Sequence, residues 1–203
     1  MTTLEALEKL NAYDIILASK SPRRQHLLSE IGLKFRVVNH LEMDEVYPAV
    51  LRAEEIPVYL ARAKAAFYSS MITQDTLLIT ADTIVWLENE VIGKPLDAED
   101  AVNMLMRLSG NMHEVFTGVC IRTAHGEYVF YSSSKVFFRK MAEEEIRYYV
   151  TRFEPYDKAG AYGVQEWIGY TGVERIEGSY FNVMGLPVQQ LYCELIKIVN
   201  HEK

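Results

Sequence analysis

Apolar positions in this 203-residue chain fall into two kinds of pattern. Short unbroken runs bounded by turn residues read as buried strands: Asp14–Ala18, Phe35–Val38, and Thr76–Thr80, whose apolar character resumes after Asp82 in Ile84-Val85-Trp86-Leu87. Other segments carry apolar residues three and four apart and read as helices. These are Met1–Leu10, Gln25–Ile31, Glu54 to about Met71, Asp97–Leu108, Ala142–Arg152 and Pro187–Val199. In the third of these the apolar side is Val58, Leu60, Ala61, Ala65 and Tyr68, and that periodicity puts Lys64 on the surface. His113–Ile121, Glu127–Tyr131 and Ser134–Phe138 form a β-meander, Glu88-Asn89-Glu90 a hairpin turn, and 154–165 and 176–187 two glycine-bearing loops. No repeat, linker or low-complexity stretch interrupts the chain, so residues 1–203 are expected to form a single domain.

One junction stands out chemically. Ser19-Lys20-Ser21-Pro22-Arg23-Arg24 lies between a strand and a helix, with Ser21 suited to the N-cap and Pro22 to the first helical turn. Free backbone N–H groups and the positive helix end converge there. Cations are misplaced at a helix N-terminus unless an anion compensates them, and a polyphosphate satisfies all these groups at once. A capped helix with a solvated basic first turn is the simpler alternative.

Charge and composition narrow the classes. The net charge of −7 argues against a broad nucleic-acid surface, so the basic junction is a local feature. No apolar run reaches transmembrane length and Met1–Asn11 lacks the core of a signal peptide, so the expected compartment is the cytoplasm, with no membrane partner. Cys120 and Cys193, far apart and in apolar surroundings, read as reduced core thiols rather than as a zinc or redox pair.

Several further residues are candidates for chemistry. Asp82 is a carboxylate between two hydrophobic runs, which is costly unless a cation, metal or donor meets it. Lys94 sits between Gly93 and Pro95 in a stiff turn. The acidic loop Glu42-Met43-Asp44-Glu45 is either a solvated turn or a metal-facing set of carboxylates. His113 has no second histidine nearby and reads as a hydrogen-bonded core residue. Gln165, at the end of a glycine-bearing segment, carries both donor and acceptor and can read a base edge.

Taken together these motifs resemble the Maf-like nucleoside triphosphate pyrophosphatases, from Leu17 to about Leu191. The matching segments, in the family's order, are 18–24, Ala81-Asp82-Thr83, Gly93-Lys94-Pro95, Leu108-Ser109-Gly110 with His113 and Thr117-Gly118, 157–165, and 178–180 with 183–187. The resemblance implies an elongated, two-lobed α/β fold: a bent mixed β-sheet flanked by helices, similar to the inosine triphosphate pyrophosphatases. It implies hydrolysis between the α- and β-phosphates with a divalent metal, Mg²⁺ or Mn²⁺, as housecleaning or in arrest of septum formation, and often a homodimer. It assigns Asp82 as general base, Ser19, Arg23, Arg24, Lys64 and Lys94 to phosphates, and Asp82 with Glu45 to the metal, where Asp44 or Glu42 could replace Glu45. Arg24, Thr83 and Gln165 match positions that sort subfamilies by base, and Thr83 and Gln165 are similar to the dTTP/UTP branch. Modified pyrimidine triphosphates and a non-catalytic nucleotide-binding regulator of septum formation remain alternatives. After Gln165 the chain has Glu166-Trp167 where many members place a glycine, and Trp167 reads as a packing residue.

Overall fold

A computed structural model describes residues 3–38 and 46–201. Glu42, Asp44 and Glu45 therefore lie outside the described residues. In chain order the elements are α1 (Thr3–Leu10), β1 (Asp14–Ala18), α2 (Pro22–Glu30), β2 (Arg36–Val38), α3 (Glu55–Phe67), β3 (Thr76–Leu87), β4 (Glu90–Ile92) and α4 (Ala98–Leu108). They continue with β5 (Met112–Arg122), β6 (Glu127–Phe138), α5 (Glu143–Phe153), α6 (Trp167–Gly172), β7 (Val173–Gly178), α7 (Tyr180–Met184) and α8 (Val188–His201). The sheet is mixed and has seven strands, in the order β2-β1-β3-β5-β6-β7 with β4 on β3. The α/β class expected from sequence holds.

Contacts divide the chain into two compact units. The first comprises residues 1–82, 117–132 and 185–203, the second 83–116 and 133–184. Strands β3, β5 and β6 each contribute residues to both.

In the first unit β1 pairs in parallel with β2 (Ile16↔Arg36) and with β3 (Leu17↔Ile79). Parallel strands require crossovers, and the helices α2 and α3 lie in those crossovers. A core of Ile16, Ala18, Val38, Ala61, Ala65, Tyr68, Leu78 and Cys120 packs α3 against these strands. Gly118 allows the close approach: a Cβ there would lie 2.4 Å from Pro57 C and Val58 N. The backbone of β5 thus meets the first turn of α3 with no room for a side chain.

In the second unit β3 and β4 form an antiparallel hairpin (Val85↔Ile92), and β6 pairs antiparallel with β7 (Val136↔Ile176). Helices α4 and α5 pack on each other over a core that includes Leu105, Val136, Ile146, Tyr149 and Ile168. Asp97 caps α4 by accepting from Asp100 N at 2.9 Å, as its position in the sequence predicts.

Several local expectations need revision. Glu127–Tyr131 and Ser134–Phe138 are one continuous strand. The segment 176–187 is mostly regular: Ile176–Gly178 ends β7 and Tyr180–Met184 is the short helix α7. The turns fall to Gly178 (φ 121°) and Gly185 (φ 112°), positive-φ positions where glycine carries no steric penalty. Cys193 is exposed, not a core thiol. Helix α8 buries Val188, Leu191, Leu195, Ile198 and Val199, a stripe at helical spacing that leaves position 193 on the opposite side. Cys120 is buried as expected, and burial pushes its thiol up to about 12.

Candidate functional site

The phosphate-like junction forms as its sequence dictates. β1 ends at Ala18, and Ser19 follows, buried. Ser19 Oγ accepts from Ser21 N at 3.2 Å, and its carbonyl accepts from Gln25 Nε2 at 3.2 Å. Ser21 is the N-cap of α2, accepting from Arg24 N at 3.5 Å, and Pro22 opens the helix. No acidic residue occupies the first turn, where the dipole would favour one. Arg23 and Arg24 stand there instead, both half-buried. Arg24 Nε donates to Gly185 O at 2.8 Å, which ties the basic turn to the loop before α8. Helix dipole, turn N–H groups and two guanidiniums therefore favour an anion in the same place.

Asp82 lies in β3 and is buried, 4 % exposed. Its Oδ1 accepts a hydrogen bond from Lys64 Nζ, and the two form an ion pair. The periodicity reading of Lys64 as a surface residue is thus overturned: its side chain is 16 % exposed. The reason lies in how α3 is registered on β3. Thr80, fully buried, donates from Oγ1 to Ala61 O at 2.7 Å. Thr80 and Asp82 point to the same side of the strand, and Ala61 and Lys64 share a helix face one turn apart. Fixing one pair brings the other together. Helical periodicity cannot reveal this, because Lys64 is drawn in by a carboxylate eighteen residues away.

The strand register links the two groups. Leu17 of β1 stands beside Ile79 of parallel β3, so Ser19 and Asp82 lie just past the carboxyl end of the parallel β1–β3 pairing, although β3 itself runs on to Leu87. Ligands of open α/β sheets bind outside those ends. Ser19, Arg23, Arg24, Lys64 and Asp82 all belong to the first unit.

Thr83, Lys94 and Gln165 belong to the second unit. Thr83 follows Asp82 in β3 and is half-buried. Lys94 is exposed, in the segment between β4 and α4. The preceding carbonyl, Gly93 O, accepts from Gly160 N at 2.9 Å, so the Lys94 turn is pinned to the segment that ends in Gln165. Packing demands the glycines of that segment. Gly160 has φ 69°, and a Cβ there would meet Val85 Cγ2 at 2.9 Å. A Cβ on Gly163 would meet Glu166 Cδ at 2.7 Å. Gln165 Oε1 is buried and has no hydrogen-bond partner among the described residues.

His113 is the core histidine expected. Its Nε2 lies 2.8 Å from Tyr162 Oη, its ring packs edge-on to Phe138 and Tyr162, and burial lowers its pKa to about 3. Trp167 packs edge-on to Tyr148 and against the second unit's core, as expected. Among the described residues no group of three or more His, Cys, Asp or Glu could hold a metal ion. Mg²⁺ needs just one or two carboxylates when substrate phosphates supply the rest, and the buried carboxylate of Asp82 fits that pattern. The sequence reading gave Thr80 and Tyr149 no role, and it placed Gly118 and Lys158 in family motifs without their contacts. For Thr80 a signal existed, since a hydroxyl inside an apolar strand must find a partner.

No helix among the described residues is long and apolar enough to cross a membrane. Residues 14–198 match the family model described as Maf-like protein. The chain is similar to a protein of Bacteroides thetaiotaomicron named dTTP/UTP pyrophosphatase, at 55% identity over 95% of this chain and 100% of that protein. A protein of the same name from Phocaeicola vulgatus is 54% identical over the same shares, and one from Flavobacterium johnsoniae 44% identical over 95% of this chain and 98% of its own. A solved dITP/XTP pyrophosphatase from Mycobacterium abscessus matches 63% of this chain and 75% of its own at 14% identity, with a TM-score of 0.37. With the N-capped basic turn that opens α2, the buried Lys64–Asp82 pair and a family match over residues 14–198, this chain belongs to the Maf-like family.

Proposed function

We propose that this protein is a nucleoside triphosphate pyrophosphatase that acts on dTTP and UTP. The observation that carries the reading is the buried Lys64–Asp82 pair, just past the end of the parallel β1–β3 pairing that leads on the β1 side into the basic N-terminus of α2. Support for the substrates comes from the names of the relatives at 54% and 55% identity.

The chemistry follows from the charges. A triphosphate repels attacking water, and the barrier falls when cations take its oxygens and water is placed in line. The α2 N-terminus, Ser19, Arg23 and Arg24 bind phosphate oxygens. Lys64 neutralises Asp82 at rest and offers its other donors to a phosphate when substrate arrives. Asp82 accepts a proton from the attacking water as its oxygen bonds to the α-phosphorus. The bond from that phosphorus to the bridging oxygen breaks, and its electron pair leaves with pyrophosphate. The other product is the nucleoside monophosphate.

A divalent cation, Mg²⁺ or Mn²⁺, would be held by Asp82 Oδ2 and phosphate oxygens, with Glu45 as the further ligand that the resemblance implies. Such an ion, when bound, neutralises phosphate charge and lowers the pKa of bound water. Lys94 takes a phosphate oxygen in this scheme, and Thr83 and Gln165 read the base. Gln165 Oε1 lacks a donor, and the N3–H of uracil or thymine is one. A matched buried hydrogen-bond set rejects bases that lack the complementary groups.

Pyrophosphate release from a panel of nucleoside triphosphates, with Mg²⁺, Mn²⁺ or EDTA, tests the reading. The expected result is metal-dependent release, with dTTP and UTP turned over most efficiently. Binding of dTTP with no release under any condition would favour a non-catalytic nucleotide-binding regulator and end the enzyme reading.

A further inference from the structure

The glycine-bearing segment before α6 ends in a network that the phosphate chemistry does not use. Tyr149, on α5 and fully buried, donates from its hydroxyl to Glu166 Oε2. The same hydroxyl accepts from Gly163 N at 3.1 Å. Glu166 Oε1 lies 3.2 Å from Lys158 Nζ, which also pairs with Asp157 at 2.8 Å. Lys158 is 9 % exposed and Glu166 20 %, so this ammonium and carboxylate are held away from most solvent. Burial, reinforced by Glu166, raises the Tyr149 pKa well above its ordinary value.

Its geometry bears on one residue. Lys158 and Glu166 close the two ends of a segment, and Tyr149 grips its middle at Gly163. A Cβ at Gly163 would meet both Glu166 Cδ (2.7 Å) and Gln165 Nε2 (3.0 Å). The Glu166 and Gln165 side chains therefore fold back over the same backbone atom, side by side. With Glu166 anchored at both oxygens, Gln165 has little freedom in where its amide points. A buried acceptor held without a partner, as Gln165 Oε1 is, costs free energy and needs rigid surroundings to persist.

We propose that Glu166, anchored by Tyr149 and Lys158, is a positioning residue that aims Gln165 at the base of the bound nucleotide. This rests on the reading of Gln165 as the base reader. In this chain a glutamate stands where many members of the family have a glycine, so the device belongs to this chain and those that share Glu166. A glycine there leaves Tyr149 and Lys158 without the carboxylate that joins them. Glu166 acts through Gln165, and its signature is base selectivity rather than turnover in general.

The test uses the full chain with Glu166→Gln, Tyr149→Phe, Gln165→Ala and the Glu166→Gln/Gln165→Ala double variant. Pyrophosphate release gives kcat/KM for dTTP, UTP, CTP and GTP, and thermal melting is followed in parallel. Glu166→Gln and Tyr149→Phe are each expected to lower the dTTP-to-GTP ratio roughly tenfold, chiefly through KM for dTTP, as for coupled neighbours in contact. In the double variant the ratio should fall no further than in Gln165→Ala alone. A ratio that drops in Gln165→Ala but not in Glu166→Gln or Tyr149→Phe overturns the positioning role and leaves base reading standing. An unchanged ratio in Gln165→Ala overturns both. Equal losses for all four nucleotides with a lower melting temperature would reduce the network to a structural brace and overturn the proposal. Should Glu166→Gln fail to fold, Tyr149→Phe, which keeps the ring and removes the hydroxyl, decides alone.

Discussion

Gly118→Ala, far from any group that touches substrate, should damage the active site through the seating of α3. The added methyl would lie 2.4 Å from Pro57 C and Val58 N and 2.5 Å from Pro57 O, against 3.4–4 Å for ordinary contact. Those are backbone atoms of the first turn of a helix, so no rotamer change relieves the clash. The helix must retreat by about 1 Å, and overpacking of this kind costs about 1–3 kcal/mol. For a chain of this length that corresponds to a fall in melting temperature of roughly 3–10 °C. Lys64 lies on the same helix roughly 9 Å beyond Val58. Both the Thr80–Ala61 hydrogen bond and the Lys64–Asp82 pair depend on that seating. A misplacement of about 1 Å can cost roughly a hundredfold in rate, so kcat for dTTP should fall at least tenfold at temperatures where the variant is fully folded. Gly126→Ala is the control, since its Cβ would meet nothing nearer than 3.8 Å. Differential scanning calorimetry and steady-state pyrophosphate release measure the two effects. A Gly118→Ala protein with wild-type melting and wild-type kcat would refute the argument that the β5–α3 contact places Lys64.

Further expectations follow from other contacts. Lys64→Met leaves the buried Asp82 carboxylate without its cation and should destabilise by about 3–5 kcal/mol while abolishing turnover. Adding Asp82→Asn to it should restore part of the stability in urea melts and none of the activity. His113 has its pKa lowered to about 3 by burial, so the unfolded chain binds its proton first as pH falls. The stability that this neutral imidazole contributes is complete above pH ~6.5 and is lost progressively toward pH ~3, about 2.7 kcal/mol of it by pH ~4.5. In His113→Phe that part of the pH slope should vanish, and an unchanged slope between pH ~6.5 and ~4.5 would count against it.

The parts of the site legible from sequence are those whose physics is local. Ser21, Pro22 and the two arginines announce an N-capped helix start with unbalanced cations, and the structure has that turn. Asp82 between apolar runs announces a buried carboxylate in need of a partner, though not which one. Lys64 could not be identified as that partner by periodicity, because its inward turn depends on Thr80 gripping Ala61 across a strand–helix contact. Gly118 is legible as part of a family motif, but what demands a glycine there is a helix that begins some sixty residues earlier. Glu166 reads from sequence only as a departure from the family pattern, standing where many members place a glycine. Its role depends on a tyrosine and a lysine that the fold, not the sequence spacing, brings to it. The match to the Maf-like family supplies the order of the motifs, while the contacts explain why several of them are needed.

The mechanism turns on Asp82 taking the proton of the attacking water while the basic turn of α2 binds the phosphates. Pyrophosphate release and equilibrium dTTP binding, measured together on Asp82→Asn, test it most directly. The account predicts loss of release by at least a thousandfold, roughly the contribution of a general base with its charge, with dTTP affinity retained within a few fold. Release at the wild-type rate from Asp82→Asn would contradict it.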